Sequence, residues 1–267
     1  RRFSRKSMLN ITSRKKSDTM LNYSNTGTAS AGDTNYGSHP YFMNPQRTYA
    51  LGWVATARQG SDGQGHSDVI QSATRTATTC YMRGLKELIN FTATDGTPWE
   101  WRRICFTWKS QATLNYGINA GSYLFYTNNT GSGYQRVIND LSGSQALANI
   151  AGALFRGAQG VDWNNFLDAP LDNSNVSVKY DRRRVIPSGN SAGALVDFTM
   201  WFPMNKNLVY ADDEFGSDEN LYAGSTEGKQ GMGDYYVMDF ISSGVPISTT
   251  ASQLSMAINS RLYWHEK

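Results

Sequence analysis

The run Leu254 to His265, reading LSMAINSRLYWH, constrains the chain most. Leu254, Met256, Ile258, Leu262 and Trp264 fall on one side of an extended backbone, and Ser255, Asn259, Arg261 and His265 on the other. Side chains alternate across a strand, so this period-2 pattern predicts a long strand with one buried face. A strand of that length left open at an edge would invite aggregation. It is expected to lie centrally in a sheet, and the rest of the chain must supply its neighbours.

Other segments repeat the pattern. Between Asn175 and Tyr210 lie two strand-like runs. The first ends near Arg182, Arg183 and Arg184, and the second places Val196, Phe198, Met200 and Phe202 on one face. Pro187, Ser188, Gly189 and Asn190 form a turn cluster between them, which predicts a β-hairpin or corner with a cationic edge. Further strands are read at 16–23, 49–57, 79–92 (bent at Gly84), 99–108, 123–126 with 134–138, and 235–241. One helix is predicted over 144–155, where Leu147, Ile150, Ala151, Leu154 and Phe155 recur at helical spacing after Ser-Gly-Ser. The 15 Tyr, 11 Phe, 7 Trp and 25 Gly suit many strands joined by long loops. No fixed-period repeat points to a propeller or solenoid. The expected fold is all-β: a single jelly roll of two packed antiparallel four-stranded sheets, with long loops and one short helix.

The formal charge of +3 hides an asymmetry. Residues 1–17 hold Arg1, Arg2, Arg5, Lys6, Arg14, Lys15 and Lys16 and no acid, which leaves 18 basic against 22 acidic residues in the body. A basic arm over 1–17 on an acidic domain over 18–267 is the footprint of a polyanion-binding tail. Phe3, set among the arginines, is suited to stacking on bases. Seven phosphate contacts predict a salt slope of about −5 on single strands. Cys80 and Cys105 have no metal-type spacing and read as free thiols in a reducing compartment. No apolar run approaches the ~20 residues needed to span a bilayer, so no membrane partner is expected. Because it starts at Arg1, the chain reads as processed or truncated.

Several segments carry a resemblance: ITSRKKSDTM, TPWEWRRICFTW, SGYQRVINDLSG, VKYDRRRVIPSGN, WFPMNKNLVY, GKQGMGDYYVMDF and SMAINSRLYWHEK. Together they resemble the capsid proteins of small circular single-stranded DNA viruses. The likeness is strongest to genomoviruses, relatives of the geminiviruses, and is spread over the whole chain. It implies a jelly roll assembled into an icosahedral T=1 homo-oligomeric shell around circular single-stranded DNA. It also implies nuclear import by host machinery through the basic arm, so the expected locations are the virion and the host nucleus.

The DNA-binding residues expected are Arg1, Arg2, Phe3, Arg5, Lys6, Arg14, Lys15, Lys16, Arg182, Arg183 and Arg184. On a strand Arg182 and Arg184 point together and Arg183 opposite, and at least one of these faces is expected to meet DNA. The alternative is salt bridging to Asp or Glu of a neighbouring strand or subunit. In the similar group Trp101, Arg102 and Arg103, the tryptophan is expected in the core. The acidic loop holding Asp212, Asp213, Glu214, Asp218 and Glu219 lacks EF-hand spacing and is read as a solvated or subunit-contacting loop.

No enzyme is expected and no cofactor. His39, His66 and His265 lie in separate segments, and His66-Ser67-Asp68 are chain neighbours without the geometry of a triad. The second functional reading is a carbohydrate-binding, lectin-like jelly roll, which leaves the basic arm without a role.

Overall fold

The computed structural model describes residues 4–25, 36–60, 68–110, 114, 117–119, 122–123, 125–129, 131–187, 191–245 and 252–267. In chain order the elements are α1 (Arg5–Thr12), β1 (Arg14–Met20), β2 (Asn22–Asn25), β3 (Tyr36–Gly37), β4 (Tyr41–Met43), β5 (Tyr49–Val54), β6 (Thr79–Ala93), β7 (Trp99–Trp108), β8 (Gly117–Asn119), β9 (Ser122–Tyr123), β10 (Thr127–Asn129), β11 (Gly133–Ile138), α2 (Gln145–Leu154), β12 (Ser177–Ile186), β13 (Ala194–Val209), β14 (Asp213–Phe215), β15 (Asp218–Asn220), β16 (Asp234–Ser243) and β17 (Leu254–Glu266).

Eight of these make the framework. One sheet runs β1–β17–β6–β13, and the other runs β12–β7–β16–β5, antiparallel throughout. Counted along the chain, the first framework strand pairs with the eighth, the second with the seventh, the third with the sixth and the fourth with the fifth. That nested pairing is the winding of a jelly roll. The C-terminal run is central, as its alternation required: β1 flanks it on one side and β6 on the other, and β4 covers the start of β17.

The stretch from Asn175 to Tyr210 resolves to a corner. β12 and β13 lie in different sheets, each at an edge. Residues 188–190 of the expected turn lie outside the described residues, as do Gly63, Gly65, His66 and Pro246. The first strand is set earlier than its composition implied, because Arg14 already pairs with Glu266. It stops at Met20, and exposed Leu21 separates it from β2. The strand read at 123–126 is displaced, and β10 at Thr127–Asn129 is the segment that pairs with β11. The expected pair of sheets gains a third, of six short strands, β3–β2–β11–β10–β9–β8, and the hairpin β14–β15. Among the described residues there are also two helices rather than one.

At Gly84, where a bend is expected, β6 continues as one strand with a positive φ of 156°. A Cβ there would come within 2.6 Å of both the Phe202 carbonyl oxygen and the Trp201 ring. Both neighbouring strands slip register at this level, between Pro203 and Lys206 on β13 and between Tyr263 and Trp264 on β17.

The two sheets are covered unequally. Ser144 caps α2 by accepting from the Leu147 N–H, and the helix buries Ala146, Leu147, Ile150 and Leu154. These join Phe155, Trp163 and Leu167 against Ile104, Phe106, Tyr236, Met238 and Phe240 of the second sheet. With both faces covered, β5 and the first eight residues of β16 are buried without interruption. The first sheet keeps the alternation of a sheet with one face in solvent.

Between the sheets sits a neutral ionic quartet. Arg103 of β7 donates to Asp239 of β16 at 2.6 and 2.7 Å and to Glu87 of β6. Arg136 of β11 reaches Glu87 at 3.2 Å and Asp239 at 3.3 Å. Trp101 Nε1 donates to Asp239 at 2.7 Å, and Ser260 Oγ of β17 donates to Glu87 at 2.8 Å. All four charged side chains are 0–1 % exposed. Burial pushes the Asp239 carboxyl up, yet Arg103, Arg136 and Trp101 more than reverse this and leave it below its ordinary value. Removing one member leaves an unpaired buried charge. Arg103→Met is therefore expected to cost about 3–5 kcal/mol in urea denaturation. A loss below about 1 kcal/mol would show that the quartet does not tie the sheets together.

Candidate nucleic-acid interface

The basic segment divides into parts that the strand geometry treats differently. Arg1, Arg2 and Phe3 lie outside the described residues. Arg5 and Lys6 are placed on α1, whose first turn is capped by Ser4 Oγ accepting from the Ser7 N–H at 3.2 Å. Arg14 and Lys15 are exposed at the start of β1, with Arg14 Nη1 donating to the Val69 carbonyl at 3.1 Å. Lys16 points the other way. It is 4 % exposed, and its Nζ lies 3.0 Å from Glu266 and donates to Thr74 O and Thr76 Oγ1.

Lys16 is thus a correction to the expected set. Alternation turns it inward with Met20, and its ammonium is held by a buried carboxylate rather than offered to phosphate. Burial pushes the Glu266 carboxyl up, but hydrogen bonds from Thr76, Trp264 and Lys16 draw it below its ordinary value. The arm as drawn over 1–17 also includes the first four residues of β1, which are part of the sheet.

The three consecutive arginines alternate as expected. Arg183 lies opposite Arg102, whereas Arg182 and Arg184 lie opposite Arg103 and Trp101. Arg183 is neutralised inside the chain. Its guanidinium makes a bidentate bridge to Glu100 at 2.7 and 2.8 Å and a second bridge to Asp168. Arg184 is half-buried over the Phe198 ring at 5.2 Å. Arg182 is exposed and has no carboxylate partner among the described residues. Lys179 of the same strand is held below its ordinary pKa by burial and by Lys206 of β13, so positive charge gathers where the two edge strands meet.

Trp101 is in the core, as expected, and Arg102 and Arg103 are buried beside it. Arg102 bridges Asp181 at 2.9 Å and donates to the carbonyls of Phe166 and Ala169.

The acidic loop is anchored at both ends. Asp212 takes a bidentate bridge from Arg75 at 2.6 and 2.9 Å, and that guanidinium lies 3.9 Å from the Tyr210 ring centroid. At the other end, buried Asp234 accepts from Ser225 N and Oγ and from Thr56 Oγ1. Asp213, Glu214, Asp218 and Glu219 are exposed on the β14–β15 hairpin. Among the described residues no group of His, Cys, Asp and Glu is gathered so as to hold a metal ion. No described helix is long and apolar enough to cross a membrane. Cys80 and Cys105 are unbridged and buried in the inter-sheet core.

No protein-family model matches the chain, and no curated protein matches it significantly. Residue-level reasoning passed over the outward side of the first sheet, where Lys86, Trp201, Arg261 and Tyr263 stand. Its signal was available, since each is out of phase with the buried residues of its strand.

With Lys16 removed, six arm charges remain, and the arm's share of the salt slope on oligothymidylate is expected to be about −4 by fluorescence anisotropy. Lys16→Ala is expected to lower stability without changing that slope. A slope reduced by about 0.7 would return Lys16 to the interface.

A second measurement concerns Asp234, whose carboxyl burial raises to about 6. An acid with a raised folded pKa favours the fold most when protonated. Stability from this group is therefore present below about pH 4 and lost as pH rises through about 6. Asp234→Asn is expected to flatten that decline in pH-dependent urea unfolding.

Proposed function

We propose that this chain is the coat subunit of a small circular single-stranded DNA virus of the genomovirus type. In this reading it self-assembles into an icosahedral T=1 shell and packages its genome without base specificity. The observation that carries the reading is a complete eight-strand jelly roll whose first strand begins inside a cationic segment, with Arg14 and Lys15 exposed where that segment meets the sheet. Jelly rolls serve both capsids and lectins, so the winding alone does not choose between them. The cationic segment favours a polyanion partner.

In this reading the mechanism is assembly. The quartet and the inter-sheet core make each subunit rigid. Exposed apolar side chains on loops and edges supply contacts between subunits: Ile70 at 82 %, Val161 at 84 % and Phe215 at 69 % exposure. The arm neutralises phosphates and releases counterions. The same basic run serves nuclear import.

Electron microscopy of the purified protein, with absorbance at 260 and 280 nm on the same sample, tests the reading. Closed isometric particles with nuclease-protected DNA are the expected result. Deleting residues 1–12 leaves β1 whole, and it is expected to lower DNA retention sharply while shells still form. Monomers that stay dispersed with single-stranded DNA at low salt would overturn the proposal in favour of a lectin-like module.

A further inference from the structure

The outward face of the β1–β17–β6–β13 sheet is uncovered among the described residues, and its side chains fall in transverse rows. Thr19, Arg261, Lys86 and Trp201 stand side by side on the four strands. The next row is Ser17, Tyr263, Gly84 and Pro203.

Three features of these rows call for an explanation. First, Arg261 and Lys86 are directly opposite on antiparallel strands, an arrangement that is destabilising for like charges. Neither has a carboxylate partner among the described residues; Arg261 bonds Ser17 Oγ at 3.0 Å. The outward positions of these four strands carry one carboxylate, Asp197, which is held by the Asn90 amide at 2.7 Å. Second, Trp201 is 49 % exposed although it is a large apolar residue. Its ring lies over Gly84, where a Cβ would come within 2.6 Å of Cζ2. Across that gap it meets Tyr263 edge-on, with centroids 5.7 Å apart, and Arg261 lies 5.2 Å from the Tyr263 ring. Third, Lys86, Leu88, Asn259, Arg261 and Tyr263 border a shallow hollow of about 310 Å³ with no carboxylate in its wall.

We propose that this face binds single-stranded DNA, with Trp201 and Tyr263 stacking on unpaired bases and Lys86 and Arg261 meeting the adjacent phosphates. A polyanion relieves the Arg261–Lys86 repulsion, and exposed rings between cations are the platform that single strands use without sequence preference. Base pairs of a duplex hide the faces these rings require, so duplex DNA binds more weakly. The proposal rests on the reading of the chain as a single-stranded DNA-binding coat subunit, and gives that subunit a second contact besides the arm.

The test uses the full chain, oligothymidylate, tryptophan fluorescence and anisotropy, with particle formation followed in parallel. Oligothymidylate is expected to quench the wild-type emission. Trp201→Ala is expected to abolish most of that quenching and weaken binding about 10- to 100-fold. Lys86→Gln with Arg261→Gln is expected to lower the salt slope by about 1.4 with the arm intact. All three positions are at the surface, and thermal unfolding checks that the variants remain folded. Wild-type affinity and slope in both variants, with particles still holding DNA, would overturn the platform and leave the coat reading standing. Variants that bind the oligomer normally but no longer assemble would also overturn it, making the face a contact between copies. A wild-type protein that neither binds the oligomer nor assembles would remove both proposals together.

Discussion

Two guanidiniums and two carboxylates sealed between sheets set the terms for this fold. Moving each ion out of water costs several kcal/mol, recovered only where geometry and further hydrogen bonds are good. Here the recovery requires five elements at once: β6 for Glu87, β7 for Arg103 and Trp101, β11 for Arg136, β16 for Asp239 and β17 for Ser260. Arg103 and Asp239 are register partners across β7 and β16. A one-residue slip of either strand would turn one of them away and strand the other, so the quartet fixes register more strictly than apolar packing alone.

The same logic governs where positive charge reaches solvent. Arg58, Arg75, Arg103 and Arg136 are at most 2 % exposed, each held by carboxylates or carbonyls and stacked on aromatic rings. Lys16 joins them through Glu266. Basic residues that appear dispersed in the chain are thereby withdrawn into the body. Those that remain outward concentrate at the arm, the β12–β13 corner and the bare face of the first sheet. This sorting supports a polyanion as the partner better than the formal charge of +3 does.

The unequal covering of the sheets has a mechanical side. α2 and the aromatic layer of Phe155, Trp163 and Phe166 shield the second sheet, so β5, β7 and most of β16 are buried on both faces, while the edge strand β12 stays largely exposed. The first sheet has a dry inner face and an outer face free to engage something broad and flat. In the proposed shell, that asymmetry gives each subunit an armoured side and a side for the genome.

Much of this was legible in the chain. The alternation over Leu254–His265 determined a central strand with Trp264 inside, and the helical spacing after Ser144 determined α2. The three arginines marked opposed faces. Such features depend on nearest neighbours along the backbone, where side-chain period is fixed by the local conformation. Tertiary structure alone decided the partners. Glu87 and Asp239, though 152 positions apart, meet the same two guanidiniums, and nothing local marks them as different from surface acids. Lys16 looked like one more charge of the arm until β1 turned it toward Glu266 at the far end of the chain. The corner between β12 and β13 was likewise open, because a turn in sequence does not say whether the chain returns beside itself or crosses to a second sheet. The row of Arg261, Lys86 and Trp201 exists only through register between distant strands, which long-range packing sets and no local pattern encodes.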